Sequence, residues 1–168
     1  NNENFTGVTT FFIDDKIDTG DILLQEKIKV DKKINAGELH DKLKVIGART
    51  VKKTIEEILN NSLKQKKQEH DKNYKTAYKL DKENIKIDWN QNCLEIYNKI
   101  RGLSPFPGSR ASLINDKGDV KRVIFYESEY VIEDHNFENG QITKEKDFIN
   151  ITCNLSLIHI SEPTRPIA

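Results

Sequence analysis

Apolar and β-branched residues alternate, with little polar interruption, along two segments near the start of the chain, residues 6–13 (TGVTTFFI) and 21–30 (DILLQEKIKV). Such runs are typical of β-strands, and the first is predicted to be covered on both faces. The residues between them, 14–20 (DDKIDTG), form a short polar connection. Two strands joined this closely are predicted to pair antiparallel.

A helical period follows the two strands. Asn35 is a favourable N-cap, and Glu38 stands three residues later in the capping-box position. Apolar residues then recur near the helical spacing at Leu39, Leu43, Ile46, Val51, Ile55, Ile58 and Leu59. Because basic residues take the other side, the pattern predicts a helix with one apolar face, ending at Asn60 and Asn61.

The second half of the chain begins with an interruption. Residues 64–71 (KQKKQEHD) contain almost no apolar side chain and predict an exposed linker at a domain boundary. A shorter helix is predicted over residues 93–103, ended by Gly102. The period then changes to two, and strands with turns between them are predicted in residues 109–114, 120–133 and 147–153. An Asn-Gly turn at 139–140 supports this division, and the pattern favours a small β-barrel that lacks its last strands.

Composition restricts the class of protein. The chain has 168 residues, 36% hydrophobic residues and no net charge, which suits one modest core or two small ones. No apolar run reaches the roughly 20 residues of a membrane helix, and the first residues do not resemble a signal peptide, so a cytoplasmic location is predicted. Cys93 and Cys153 are isolated and are predicted to be small buried residues, without a disulfide or a metal site. The absence of methionine predicts a piece of a longer protein.

The charge is unevenly distributed. Residues 41–82 contain twelve Lys or Arg against six Asp or Glu, whereas residues 127–147 contain two against seven. On charge alone, a solvated helix face and linker are favoured over a surface that binds a polyanion.

The polar connection between the first two strands poses a chemical question. Asp18 and Asp21 stand on either side of Thr19 and Gly20. Taken alone, Asp18 is interpreted as a turn cap whose side chain accepts a backbone hydrogen bond, and Asp21 as a further turn residue. Gly20 is expected to permit a close backbone approach.

Three segments, TGVTTFFIDDKIDTGDIL, AYKLDKENIKIDWN and IRGLSPFPG, in this order and spacing, resemble the methionyl-tRNA formyltransferase family. The resemblance implies an α/β fold: the C-terminal part of a doubly wound formyltransferase domain (residues 1–63), a basic linker (64–78) and a truncated OB-like barrel that binds tRNA (79–153). Residues 154–168 depart from the family, resemble translated sequencing-adapter read-through and are predicted to be non-native. Arg110 stands where relatives usually have an aromatic residue.

The resemblance also implies an activity, the transfer of a formyl group from 10-formyltetrahydrofolate to the amine of initiator methionyl-tRNA, without a metal. Asp18 matches the catalytic aspartate of the family, which raises the pKa of a neighbouring histidine and orients it. The family's catalytic Asn and His lie upstream of this sequence, so the isolated chain is predicted to be inactive. A monomeric state is predicted as well. By similarity, the backbone of Ile13, Asp14, Asp15 and Lys16 lines the folate pocket.

Basic residues of the linker and the second helix are predicted to contact tRNA phosphates: Lys64, Lys66, Lys67, Lys72, Lys75, Lys79 and Arg101. Two alternatives stay open. One is a formyltransferase that acts on a small amine, such as a sugar nucleotide or glycinamide ribonucleotide. The other is a fragment that binds RNA and has no catalytic role.

Overall fold

A computed structural model describes residues 2–68, 75, 77–144, 148–154 and 156–160. By their contacts the residues divide into two compact units. The first comprises Asn1–Ile34 and Glu38–Ala77, and the second comprises Asn35–Gly37 and Tyr78–Ala168.

The first unit is built on a hairpin. Strands β1 (Phe5–Phe11) and β2 (Ile22–Lys29) pair antiparallel, which confirms the expected arrangement, and the register shifts between Thr10 and Phe11. The expectation that both faces of the first strand are covered is wrong for the described residues. Exposed and half-buried positions alternate along β1, because only one face of the two-stranded sheet packs against a helix.

Helix α1 (Ala36–Leu59) begins directly after Asn35 and ends before Asn60, as predicted. Its most buried residues are Thr50 and Thr54, which are 0% and 5% exposed. The Thr54 hydroxyl lies 2.8 Å from the hydroxyl of Thr10 on β1, and the Thr10 oxygen also accepts the amide hydrogen of Leu24 at 3.1 Å. The hydroxyls of Thr54 and Thr10 therefore join the helix to the hairpin.

The apolar face predicted for α1 is only partly buried. Leu39, Leu43 and Ile46 are half-buried on the side of Thr50, but a second group of apolar residues faces outward: Val51, Ile55, Ile58 and Leu59. We call these four residues the outer apolar stripe of α1. Since a helix turns about 100° per residue, they lie roughly a third of a turn around from the threonine face. The single apolar face predicted for α1 therefore includes four residues that the helix does not bury.

The second unit surrounds helix α2 (Cys93–Leu103), whose first turn is capped by Asn92 through a 2.9 Å hydrogen bond from the Glu95 amide. The helix has the predicted range, but Gly102 lies within its last turn and does not end it. Ser104 is the C-cap with an extended backbone (ψ 138°). The following proline explains this ending, since the residue before a proline is excluded from helical conformation.

Six strands are present in the described residues of this unit. Strand β3 (Ser109–Ile114) pairs antiparallel with β4 (Val120–Phe125). A second, four-stranded antiparallel sheet has the order β5-β8-β7-β6, formed by β5 (Glu129–Val131), β6 (Ile142–Lys144), β7 (Ile149–Cys153) and β8 (Ser156–Ile160). The run at 120–133, predicted as one strand, is thus divided between two sheets. Closure of these sheets into an OB-like barrel stays a prediction, as does the non-native origin of residues 154–168, which include β8.

The core of the second unit lies between α2 and both sheets. Ile96 and Ile100 of α2 are 0% exposed, and Phe125 of β4 meets Trp89 edge to face, with ring centroids 5.8 Å apart. Both cysteines are buried as predicted, and burial raises the pKa of the Cys153 thiol to about 11. Among the described residues, neither helix is long and apolar enough to cross a membrane.

Candidate functional site

A backbone hydrogen bond joins the two ends of the connection between β1 and β2. The Phe12 amide donates a 3.2 Å hydrogen bond to the carbonyl of Asp21. Gly20 is buried beside this bond, and a Cβ atom there would overlap the carbonyl oxygen of Phe12. The close approach expected at Gly20 is therefore confirmed.

Asp14 makes the side-chain cap of this turn. Its Oδ1 accepts a 2.7 Å hydrogen bond from the Thr19 hydroxyl and a 3.0 Å bond from the Lys16 amide. These two bonds, that of Thr19 first, lower the pKa of the Asp14 carboxyl from its ordinary value. The capping interpretation of Asp18 is thus wrong for its side chain, because Asp14 fills that structural role.

Asp18 has a left-handed backbone conformation (φ 56°) and an exposed side chain. Its carboxylate makes no hydrogen bond or ion pair with any described residue, which distinguishes it from Asp14. Asp18 lines a pocket of about 450 Å³ beside the hairpin of β1 and β2. The pocket is also lined by the polar residues Gln25, Lys66, Lys67 and Gln68. The pocket brings a carboxylate that has no partner among the described residues close to two lysines.

Part of the predicted linker belongs to this site. Lys66 exchanges two backbone hydrogen bonds with Ile22, of 2.8 and 2.9 Å, and so extends the hairpin beyond β2. Residues 64–67 are exposed, as the predicted linker requires, but the pairing of Lys66 with the hairpin was not expected. Because backbone pairing at a sheet edge needs no apolar side chain, the polar sequence KQKKQ carries no signal of it. Gln68, which the sequence interpretation missed, lies here as well.

The four residues assigned by resemblance to folate occupy the loop after β1. Ile13 is 92% exposed, and Asp14, Asp15 and Lys16 are also exposed. None of the four lines the pocket beside Asp18. Their role toward folate stays a prediction.

The basic residues assigned to tRNA differ in their surroundings. In the first unit, Lys64, Lys66 and Lys67 are exposed, and the last two line the pocket. Lys75 instead forms an ion pair with Glu3 at 2.5 Å and lowers the pKa of that carboxyl. Lys72 lies outside the described residues.

In the second unit, Lys79 is exposed and Arg101 is half-buried. The Arg101 Nε donates a 2.8 Å hydrogen bond to Asn98, and its guanidinium lies 5.8 Å from the ring centroid of Tyr97. Arg101 therefore interacts with its own helix. Within the described part of the chain, no group of three or more His, Cys, Asp or Glu is arranged to hold a metal ion.

We expect Gly20→Ala to destabilise the chain by about 1–3 kcal/mol, because the added methyl group would overlap backbone and not a movable side chain. Urea denaturation measures the effect. Gly102→Ala is a suitable control, since a Cβ there meets nothing within 4 Å and a helical alanine stabilises by roughly 0.5–1 kcal/mol. Equal midpoints for the two variants would contradict the expectation.

The cap made by Asp14 predicts a pH dependence of the turn. Since its pKa is lowered from 3.8 in the folded chain, the cap stabilises the turn above pH 3.8 and the effect is lost as the pH falls through the lowered value. We expect the amides of residues 15–20 to exchange faster with solvent in that acidic range. In Asp14→Asn the acid-dependent change should be absent. If it persists, another group is responsible.

Comparisons with known proteins bear on this geometry. A profile described as formyl transferase matches residues 1–55, and one described as formyl transferase, C-terminal domain, matches residues 79–166. The methionyl-tRNA formyltransferase of Flavobacterium johnsoniae is 44% identical over 160 residues, which cover 95% of this chain and 50% of that protein. That of Bacteroides fragilis is 37% identical over 164 residues, covering 95% of this chain and 51% of its own length.

Solved structures share the fold. WlaRD, a sugar 3N-formyl transferase solved with dTDP and 5-N-formyl-THF, has a TM-score of 0.63 at 25% identity, covering 94% of this chain and 55% of that one. HypX from Aquifex aeolicus, in complex with tetrahydrofolic acid, has a TM-score of 0.67 at 16% identity and covers 94% of this chain and 27% of that one. The chain spans about half the length of the curated relatives it matches. It belongs to the formyl transferase family.

Proposed function

We propose that this chain forms part of an enzyme that transfers a formyl group from 10-formyltetrahydrofolate to the amino group of methionyl-tRNA. The observation that carries the proposal is the 44% identity to a methionyl-tRNA formyltransferase across 95% of the chain. Matches to both formyl transferase profiles support it.

Within this proposal Asp18 is the catalytic residue. The donor supplies the formyl carbon that the amine attacks, and a histidine from the rest of the full-length protein faces the developing negative charge. Asp18 orients that histidine and favours its protonated form. The Asp18 carboxylate is available for this, because it has no partner among the described residues.

We assign the donor to the folates, because WlaRD was solved with 5-N-formyl-THF and HypX with tetrahydrofolic acid. We assign the backbone of Ile13, Asp14, Asp15 and Lys16 to the pterin, on the resemblance alone. Exposed lysines near Asp18, Lys66 and Lys67 above all, would meet tRNA phosphates.

We also propose the finer architecture: a first unit that completes a doubly wound domain in the full-length protein, and a second unit that closes as an OB-like barrel. The antiparallel pairing of all described strands in the second unit supports the barrel. An experimental structure of the full-length protein would decide it. The monomeric state is proposed too, and sedimentation measures it.

The activity is tested with the full-length protein that contains this chain, supplied with 10-formyltetrahydrofolate. We expect formylation of methionyl-tRNA and no formylation of amino-sugar nucleotides or glycinamide ribonucleotide. Formylation of a small amine in the absence of tRNA would overturn the proposal. Salt-dependent tRNA binding without any formyl transfer would contradict the proposed activity and support the alternative of an RNA-binding protein without a catalytic role.

A small-amine formyltransferase is the second candidate. It is favoured by the likeness to WlaRD, whose substrate class is a sugar amine. That enzyme is 25% identical to this chain, compared with 44% for the methionyl-tRNA enzyme. The higher identity favours the tRNA substrate.

A further inference from the structure

Residues 64–68, which pair with the hairpin through Lys66, are called the edge segment, and Gln68 lies where this segment meets the turn of the hairpin. The pairing of Lys66 with Ile22 fixes the segment beside the start of β2, two residues before Gln68. Gln68 is half-buried, while its neighbours Lys66 and Lys67 are exposed. Its side chain therefore points toward the first unit and away from bulk water.

The Gln68 amide bridges two carbonyl groups of the turn. Its Nε2 donates a 3.0 Å hydrogen bond to the carbonyl oxygen of Asp18 and a 2.7 Å bond to that of Gly20. Both distances are normal for N–H···O bonds, and one NH₂ group supplies the two hydrogens. Because both partners are acceptors, only a donor at this position satisfies them. We call this arrangement the Gln68 clamp.

The clamp acts on the part of the turn that orients Asp18. The Asp18 backbone is in the left-handed region, which few residues other than glycine adopt readily. Holding the Asp18 carbonyl fixes the peptide plane between Asp18 and Thr19, and holding the Gly20 carbonyl fixes the plane between Gly20 and Asp21. The direction of the Asp18 side chain depends on these planes, since its carboxylate has no partner among the described residues.

We propose that Gln68 is a positioning residue for formyl transfer, which holds the Asp18 turn in the orientation that the reaction needs. The proposal rests on the function proposed above. Gln68 does not touch the reacting atoms in this account and acts through Asp18. It also gives the edge segment a role in the reaction beyond the phosphate contacts proposed for Lys66 and Lys67.

The test compares Gln68→Glu with Gln65→Glu in the full-length enzyme. Both variants add one negative charge to the same segment, but Gln65 is exposed and lies outside the pocket lining. A carboxylate at position 68 would face two carbonyl oxygens and break the clamp. We expect kcat to fall on the order of 10- to 100-fold in Gln68→Glu, because small displacements of a catalytic group are costly. Any rise of KM for tRNA should be shared by both variants.

Two further measurements separate positioning from stability. Amide exchange in residues 15–21 should be faster in Gln68→Glu than in Gln65→Glu, at unchanged urea midpoints. The loss of kcat should also be smaller at pH 5 than at pH 8, since a protonated carboxyl can donate one of the two hydrogen bonds. Gln68→Met, which removes the donors and adds no charge, should lose kcat at both pH values. If Gln68→Glu does not fold, Gln68→Met is used in its place.

Equal kcat values for Gln68→Glu and Gln65→Glu overturn the proposal, and so does faster exchange of the turn without a fall in kcat. Failure of the proposed function is recognised separately, with Asp18→Asn. Full activity in Asp18→Asn would remove the catalytic role of Asp18 itself, whatever the Gln68 variants show.

Discussion

We expect Asp18→Asn to lower kcat for formyl transfer to methionyl-tRNA on the order of 10²–10⁴-fold in the full-length enzyme, the usual contribution of a positioned acid–base group. The amide keeps the size of the side chain but removes its charge, so a facing histidine loses the partner that raises its pKa. Because the Asp18 carboxylate bonds to no described residue, the substitution should leave the fold unchanged. Steady-state kinetics and urea denaturation measure the two effects.

Asp21→Asn is the matched control. Asp21 lies in the same turn, and the hydrogen bond from Phe12 uses its backbone carbonyl, which the substitution keeps. We expect near-normal kcat for this variant. Similar losses in both variants would show that the charge of the turn matters, and not a role specific to Asp18.

We expect Phe125→Ala to lower the free energy of unfolding by about 3–5 kcal/mol, the usual cost of removing a buried aromatic side chain. Phe125 is 1% exposed, and its ring meets Trp89 in the core of the second unit. Removing it leaves a cavity in the cluster that also contains Ile96 and Ile100. Urea denaturation followed by Trp fluorescence reports the change directly.

Phe106→Ala provides the comparison, because Phe106 is 87% exposed and loses little by truncation. Its effect should stay within about 0.5 kcal/mol. A comparable destabilisation in the two variants would contradict the described core.

Local sequence signals predicted the regular elements well. The alternation in residues 6–13 and 21–30 and the capping box at Asn35 each correspond to an observed strand or helix start. Gly118 and Gly140, in the predicted turns, have positive φ values of 84° and 83°. These signals succeed because caps, turns and periodicity depend on neighbouring residues.

Contacts between elements that are distant in the sequence could not be predicted from local patterns. The buried face of α1 is centred on Thr50 and Thr54. Both hydroxyls donate to carbonyls of their own helix, and the Thr54 hydroxyl also meets the hydroxyl of Thr10, a partner that only the folded hairpin supplies. Gln68 reaches Asp18 across a separation of fifty residues, which no local pattern announces. The catalytic role of Asp18 was predicted from the resemblance to the family. The structure shows that the side chain of Asp14, and not that of Asp18, caps the turn.

The outer apolar stripe of α1 matters for handling the isolated chain. Val51, Ile55, Ile58 and Leu59 are 41–75% exposed and adjoin one another on the helix surface. Contiguous surfaces of this kind favour self-association. Salts such as ammonium sulfate strengthen apolar burial, so the chain should precipitate early in a salt series, and dilute, low-salt buffers suit its purification.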